Sequence, residues 1–196
     1  MHVKVLRENY DLVKLMEEVM IIESELNYNK RGLDVDKIPA KYNGMCGWKV
    51  IGLRTINGDI SERGVILQRI DNKTFKNTPI LEKCPYITQI LNELTPNGIE
   101  DVYLVRLMKL DHGGFITAHN DGPVFRNITQ MIRTHLPIVT HPEVKMKIEE
   151  NEYFLEAGKL WLTRVDKMHS VKNNSDIDRI HLVIDFKPTS AMLESI

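Results

Sequence analysis

After Gly98 the chain breaks into short segments rich in Val, Ile, Thr and aromatic residues, separated by Gly, Pro, Asn or Asp. Val102–Leu110, Phe115–Asp121, Asn127–Thr140, Val144–Leu155, Lys159–Val165 and Arg179–Phe186 all carry the chemistry of strands. Glu149-Glu150-Asn151-Glu152 reads as a hairpin tip. This run points to a sandwich or barrel, mainly β. Ahead of it, Leu12, Leu15, Met16, Val19, Ile22 and Leu26 recur at helical steps, with Glu17, Glu18, Glu23 and Glu25 on the wet face. Trp48–Ile56 and Gly64–Ile70 read as two strands around an Asn57-Gly58-Asp59 turn. Pro85–Leu94 reads as a second helix, with Pro in its first turn and Pro96-Asn97-Gly98 stopping it. The 196 residues are expected to form one domain, with support over 1–98 and a β core over 99–190.

Composition excludes several classes. Lys plus Arg is 26 and Asp plus Glu is 27, a net charge of −1. A dedicated nucleic-acid binder would carry a basic excess, so no nucleic-acid partner is expected. No apolar run approaches the roughly 18 residues of a membrane span, so no membrane association is expected. Met1-His2-Val3-Lys4 lacks the pattern of a secretory signal. Two cysteines, Cys46 and Cys84, cannot make a disulfide scaffold, and free thiols in a reducing cytoplasm are the simpler expectation.

The polar residues of the β half carry the chemistry. In Phe115–Asp121 alternate residues share a face, so His119 and Asp121 point the same way. A His-x-Asp pair can chelate one metal ion, although alone it reads more readily as a surface His with a nearby Asp. His169, 50 positions after His119, could join it across a closed or sandwiched sheet. Two His and one carboxylate make the facial triad of non-haem iron oxygenases, which leaves positions open for substrate and O2. Zinc would also bind such a set, in a tetrahedral geometry. In Arg179–Phe186, Ile180, Leu182, Ile184 and Phe186 form an apolar face, and Arg179, His181, Val183 and Asp185 the other. Arg179 is suited to grip a carboxylate bidentately, or to a structural ion pair with Asp176 or Asp178. Arg133 and His135 share a face in Ile132–Pro137, adding positive charge and donors.

The ordered set His119-Asn120-Asp121, Arg133-Thr134-His135-Leu136, Gly158-Lys159-Leu160-Trp161, His169 and Arg179-Ile180-His181-Leu182-Val183-Ile184-Asp185 resembles the aspartyl/asparaginyl β-hydroxylase family, which includes bacterial proline hydroxylases. The match spans roughly Val102 to Phe186, and Cys46-Gly47-Trp48 resembles an early strand of the family. The resemblance implies a double-stranded β-helix, a jelly-roll of cupin type. It implies an Fe(II)- and 2-oxoglutarate-dependent dioxygenase that uses O2 and releases succinate and CO2. It makes His119, Asp121 and His169 the iron ligands and gives the far carboxylate of 2-oxoglutarate to Arg179. Arg133 and His135 fall where the family handles co-substrate or substrate carboxylates. Retention of Asp121 points to hydroxylation.

The expected substrate is a free amino acid such as L-proline, with Arg126 and Arg106 as its carboxylate partners and Phe125, Tyr42 and Trp48 as candidate pocket walls. A peptidyl Asp, Asn or Pro would also fit. The competing class is a cupin-like metal-binding module without turnover, since one fold hosts many functions.

Overall fold

The computed structural model describes residues 2–31, 33–37, 44–60, 74–121 and 131–194. The strand read at Gly64–Ile70 and the beginning of the one read from Asn127 lie outside them. The strands are β1 (Val3–Arg7), β2 (Asn29–Lys30), β3 (Cys46–Ile56), β4 (Phe75–Asn77), β5 (Val102–His119), β6 (Ile132–Val139), β7 (Val144–Ile148), β8 (Asn151–Tyr153), β9 (Leu160–Thr163), β10 (His169–Asn173) and β11 (Arg179–Phe186). They form an antiparallel sheet in the order β1-β9-β6-β11-β5-β10-β7-β8, and β3 pairs with β2, β4 and β5. The fold is mainly β, a nearly closed jelly-roll as expected. No helix among the described residues is long and apolar enough to cross a membrane. Cys46 and Cys84 are both buried and free.

Sequence patterning separates Val102–Leu110 from Phe115–Asp121, but the structure carries one strand, β5, through both. Cys46 of β3 pairs with Phe115 while Trp48 pairs with Leu110, so residues 111–114 are extruded as a bulge. Gly113 takes φ +70° there. At Gly114 a Cβ would lie 2.8 Å from the Asp111 carbonyl and 3.0 Å from that of Cys46, so a larger residue has no room. The Lys49 ammonium holds both Asp111 oxygens, at 2.7 and 2.6 Å. The Asn173 amide donates to the carbonyls of Leu110 and Asp111, each at 3.1 Å, meeting the backbone need that the bulge creates. Beyond the bulge, β5 leaves β11 and pairs with β10. One strand thereby serves both layers.

Sequence reading missed β1 and β10, which are short and rich in Lys, Arg, His, Ser or Asn between their apolar residues. The hairpin tip narrows to Glu149-Glu150, with Glu149 at φ 51° and Asn151 already in β8.

Helices α1 (Leu12–Glu25) and α2 (Pro85–Glu93) cover one face of the sheet. Leu15, Val19 and Ile22 of α1 and Ile87, Ile90 and Leu91 of α2 pack with Val105, Leu107, Leu136 and Leu182 of the central strands. Asp11 caps α1, its Oδ1 accepting from the N–H groups of Val13 and Lys14 at 3.0 and 3.2 Å. The cap of α2 comes from the other helix. Pro85 opens α2, and the buried Glu18 carboxylate accepts from the N–H groups of Tyr86 and Ile87 at 2.6 and 2.8 Å. Two otherwise orphaned donors are met by one negative charge at the positive end of the helix. Glu18→Ala should therefore cost about 2 kcal/mol of stability in urea denaturation; a loss below about 0.5 kcal/mol would show that α2 does not depend on this cap.

Candidate metal and anion site

The site grows out of strand parity. Along β11 all eight residues are buried, on two faces of opposite character. Ile180, Leu182, Ile184 and Phe186 join the helix-packed core. Arg179, His181, Val183 and Asp185 alternate with them on the opposite, cavity side. Residues opposite one another on neighbouring strands share that side: Asp185 faces Arg133 of β6, and Val183 faces His135 of β6 and Arg106 of β5.

Asp185 is fully buried and held from two strands. Arg133 donates Nε and Nη2 to its two oxygens, at 2.7 and 2.9 Å, and Arg106 donates Nη2 to Oδ2. The remaining arm of Arg133, Nη1, reaches Asp121. Burial alone would raise the pKa of Asp121, but the positive charge of Arg133, with smaller help from His169 and His119, lowers it. Asp121 is anchored in turn by its own N–H, which donates to the Val165 carbonyl at 2.9 Å.

His119 and His169 meet as directly opposed residues of β5 and β10, their ring centroids 4.2 Å apart. A second irregularity sets up this meeting. His169 pairs with His119 but Val171 pairs with Ile116, so β5 spends an extra residue between them. Ile116 and His119, of opposite parity in a regular strand, thereby both line the cavity. Each imidazole turns Nδ1 to a backbone carbonyl two residues earlier, His119 to Thr117 at 2.8 Å and His169 to Lys167 at 3.0 Å. A carbonyl only accepts, so each Nδ1 bears a hydrogen, and a neutral ring then offers the lone pair of Nε2 to a metal. The His119 Nε2 lies 3.6 Å from Asp121 Oδ1. One ligand atom from each of His119, Asp121 and His169 lies within 4.8 Å of the others, so the group could hold a metal ion. Burial lowers the pKa of His169 and favours the neutral, ligating form.

Arg179 borders the same cavity and is 2% exposed. No carboxylate pairs with it among the described residues. Asp178 is engaged instead by the Lys109 ammonium at 2.9 Å and by the N–H of His112, also at 2.9 Å. Uncompensated burial pushes the Arg179 pKa down to about 10. Arg106 and Arg133 have Asp185 between them, whereas Arg179 has no carboxylate partner among the described residues.

The structure thus brings together His119, Asp121, His169, Arg106, Arg133, His135 and Arg179 around one cavity. Arg126, Phe125 and Tyr42 lie outside the described residues. Sequence reasoning passed over Arg31, which also borders the cavity and lies over the Trp48 ring at 5.3 Å, because nothing in its local sequence marks it. It also assigned no part to Asp185 or His181, although both share the Arg179 face. The Asp185 cluster makes a direct prediction. Asp185→Asn leaves buried guanidinium charge uncompensated and should cost about 3–5 kcal/mol; an unfolding midpoint unchanged from the parent in urea would show that the cluster adds nothing to the fold.

Comparison with known proteins agrees with this geometry. The family model described as aspartyl/asparaginyl beta-hydroxylase matches residues 6–188. The L-proline cis-4-hydroxylase of Rhizobium meliloti (strain 1021) is 23% identical over 176 residues, covering 88% of this chain and 60% of its own length. The L-proline cis-3-hydroxylase 1 of a Streptomyces species is 24% identical over 138 residues, covering 70% of this chain and 46% of its own. The chain therefore spans about half the length of the curated relatives it matches. Among solved structures, an oxidoreductase of the 2OG-Fe(II) oxygenase family from Burkholderia pseudomallei superposes with a TM-score of 0.59 at 11% identity, covering 95% of this chain and 85% of that one. The fold is shared with that protein, and the family match extends over nearly the whole sequence: the chain belongs to the aspartyl/asparaginyl β-hydroxylase family.

Proposed function

We propose that this chain is an Fe(II)- and 2-oxoglutarate-dependent hydroxylase acting on a small amino acid. One observation carries the proposal: Arg179, buried and without a carboxylate partner among the described residues, borders the same cavity as His119, Asp121 and His169. A metal-ligating group beside a waiting cation suits a co-substrate that chelates through one end and carries a carboxylate at the other.

The donor set fits the metal. Both histidines are oriented by backbone carbonyls through Nδ1, and Asp121 is held ionised by Arg133. These are the supports that keep ligating groups in place and in the right protonation state. His119, Asp121 and His169 would hold iron, and Arg179 would hold the far carboxylate of 2-oxoglutarate. Iron bound there with 2-oxoglutarate and O2 would supply the oxidising power for hydroxylation, with succinate and CO2 as co-products. Arg133, given over to Asp121 and Asp185, acts as a positioning residue. Trp48, Val50 and Met108 give the cavity its apolar wall and limit the water that reaches it. Arg31 and Arg106, both on the same cavity, are the candidate partners for the substrate carboxylate. The names of the two curated relatives support a proline-like substrate. Buried free thiols suit a cytoplasmic setting.

The test is anaerobic reconstitution with Fe(II) and 2-oxoglutarate, following the visible charge-transfer band of the chelate. The band should form in the parent and be absent in His119→Ala. In Arg179→Ala the concentration of 2-oxoglutarate needed should rise about 100-fold, the loss of a buried charge-assisted pair of about 3 kcal/mol. Succinate release on adding L-proline or another small amino acid would then identify the substrate. Iron binding with no band in the parent would overturn the 2-oxoglutarate assignment and leave a metal-binding module.

A further inference from the structure

Behind the main cavity, β6 and β11 bury a second pair of histidines. His135 and His181 are 7% and 2% exposed, their rings meet edge to face at 81°, and their Nδ1 atoms lie 3.3 Å apart. A hydrogen bond between two ring nitrogens needs one hydrogen, carried by one partner only. If both rings are neutral, the outward Nε2 atoms must then differ: one bears N–H and the other a lone pair. Burial, reinforced by the nearby Arg179 charge, keeps both pKa values well below the ordinary histidine value.

The polarity of the pair is set from the far side. His181 Nε2 and Arg179 Nε are both buried without a partner among the described residues. Being two apart on β11 they share a face, and both border a small void whose other walls are Thr140, Val144, Met146, Tyr153, Leu155 and Val171. The void has room for about one water molecule and too little for an organic acid. A guanidinium can only donate. A water that accepts from Arg179 Nε–H has its own hydrogens turned away from the cation, toward the lone pair of an acceptor. The reverse tautomer would set a second N–H against the same guanidinium.

We propose that Arg179, one buried water and His181 form a relay that fixes His135 as a hydrogen-bond donor toward the main cavity. The water donates to His181 Nε2, His181 Nδ1–H donates to His135 Nδ1, and His135 carries its hydrogen on Nε2. The result is a neutral donor of fixed direction on the cavity that also holds Arg179 and the His119–Asp121–His169 group. It suits a ligand oxygen that bears charge or partial charge. This use of the donor rests on the co-substrate reading above; the tautomers themselves rest on the geometry alone. His181 is thus a positioning residue that touches no ligand.

The test reads the hydrogens directly. In the full-length protein, 15N-labelled at histidine and loaded with Zn(II), long-range 15N–1H correlation spectra distinguish the tautomers, and the His181→Asn spectrum assigns the signals. The expected result is His181 protonated at Nδ1 and His135 at Nε2. The opposite pair, or an imidazolium at either site, overturns the relay. Calorimetry with 2-oxoglutarate adds a second measurement. His181→Leu, which ends the relay, should bind about tenfold more weakly. His181→Asn, whose amide places an N–H near the Nδ1 position, should stay within about threefold of the parent. Equal binding by parent and a folded His181→Leu protein overturns the role of His135 as donor to the ligand. The expected tautomers in a parent that binds no 2-oxoglutarate would uphold the relay and overturn the co-substrate reading.

Discussion

Everything at the site hangs on one buried carboxylate. Asp185 has no exposed surface, and it is gripped from β6 by Arg133 and from β5 by Arg106. Ionic groups in an interior are poor sources of net stability, because desolvation offsets their attraction. What this cluster supplies is register. A slip of β6 by one residue along β11 would turn Arg133 away from Asp185 and into the apolar layer beneath the helices. With register fixed, Arg133 also reaches Asp121, and the carboxylate end of the His–Asp–His group is located by the same charge that locates the central strands.

The central strands divide the molecule by parity. On one face Leu182, Ile184, Leu136 and Leu107 pack against α1 and α2. On the other, Arg106, Arg133, His135 and Arg179 surround the cavity. Because both faces are buried, the polar one must find partners inside the protein or in a ligand. Arg106 and Arg133 find theirs in Asp185; Arg179 does not among the described residues. The chemistry of the cavity follows from that difference.

Much of this was legible in the sequence. The parity of Arg179–Phe186 separates its two faces correctly because a regular strand has a strict period of two. The His119-x-Asp121 pair and His169 come together in space, as expected from an ordered set of motifs. The two breaks in regularity were not legible. At Asp111–Gly114 the sequence carries turn residues, and only the grip of Lys49 and Asn173 shows that the strand continues through them as a bulge. The extra residue of β5 between Ile116 and His119 is a property of its pairing with β10, a strand too polar to be seen in advance. The tie between Arg133 and Asp185 likewise joins residues 52 positions apart, and local patterns cannot tell such a pair from a ligand site.

Arg179 also bears on the energetics of the whole fold. A guanidinium shut away from water, with no counter-charge among the described residues, is a standing penalty on the folded protein. An anion bound in the cavity, as proposed above, would remove that penalty, and since it would bind the folded chain alone its binding energy would add to the folding free energy in proportion to the logarithm of its concentration. Since Arg179 opens β11, which pairs with both β5 and β6, this gain falls on the three strands that carry the cavity.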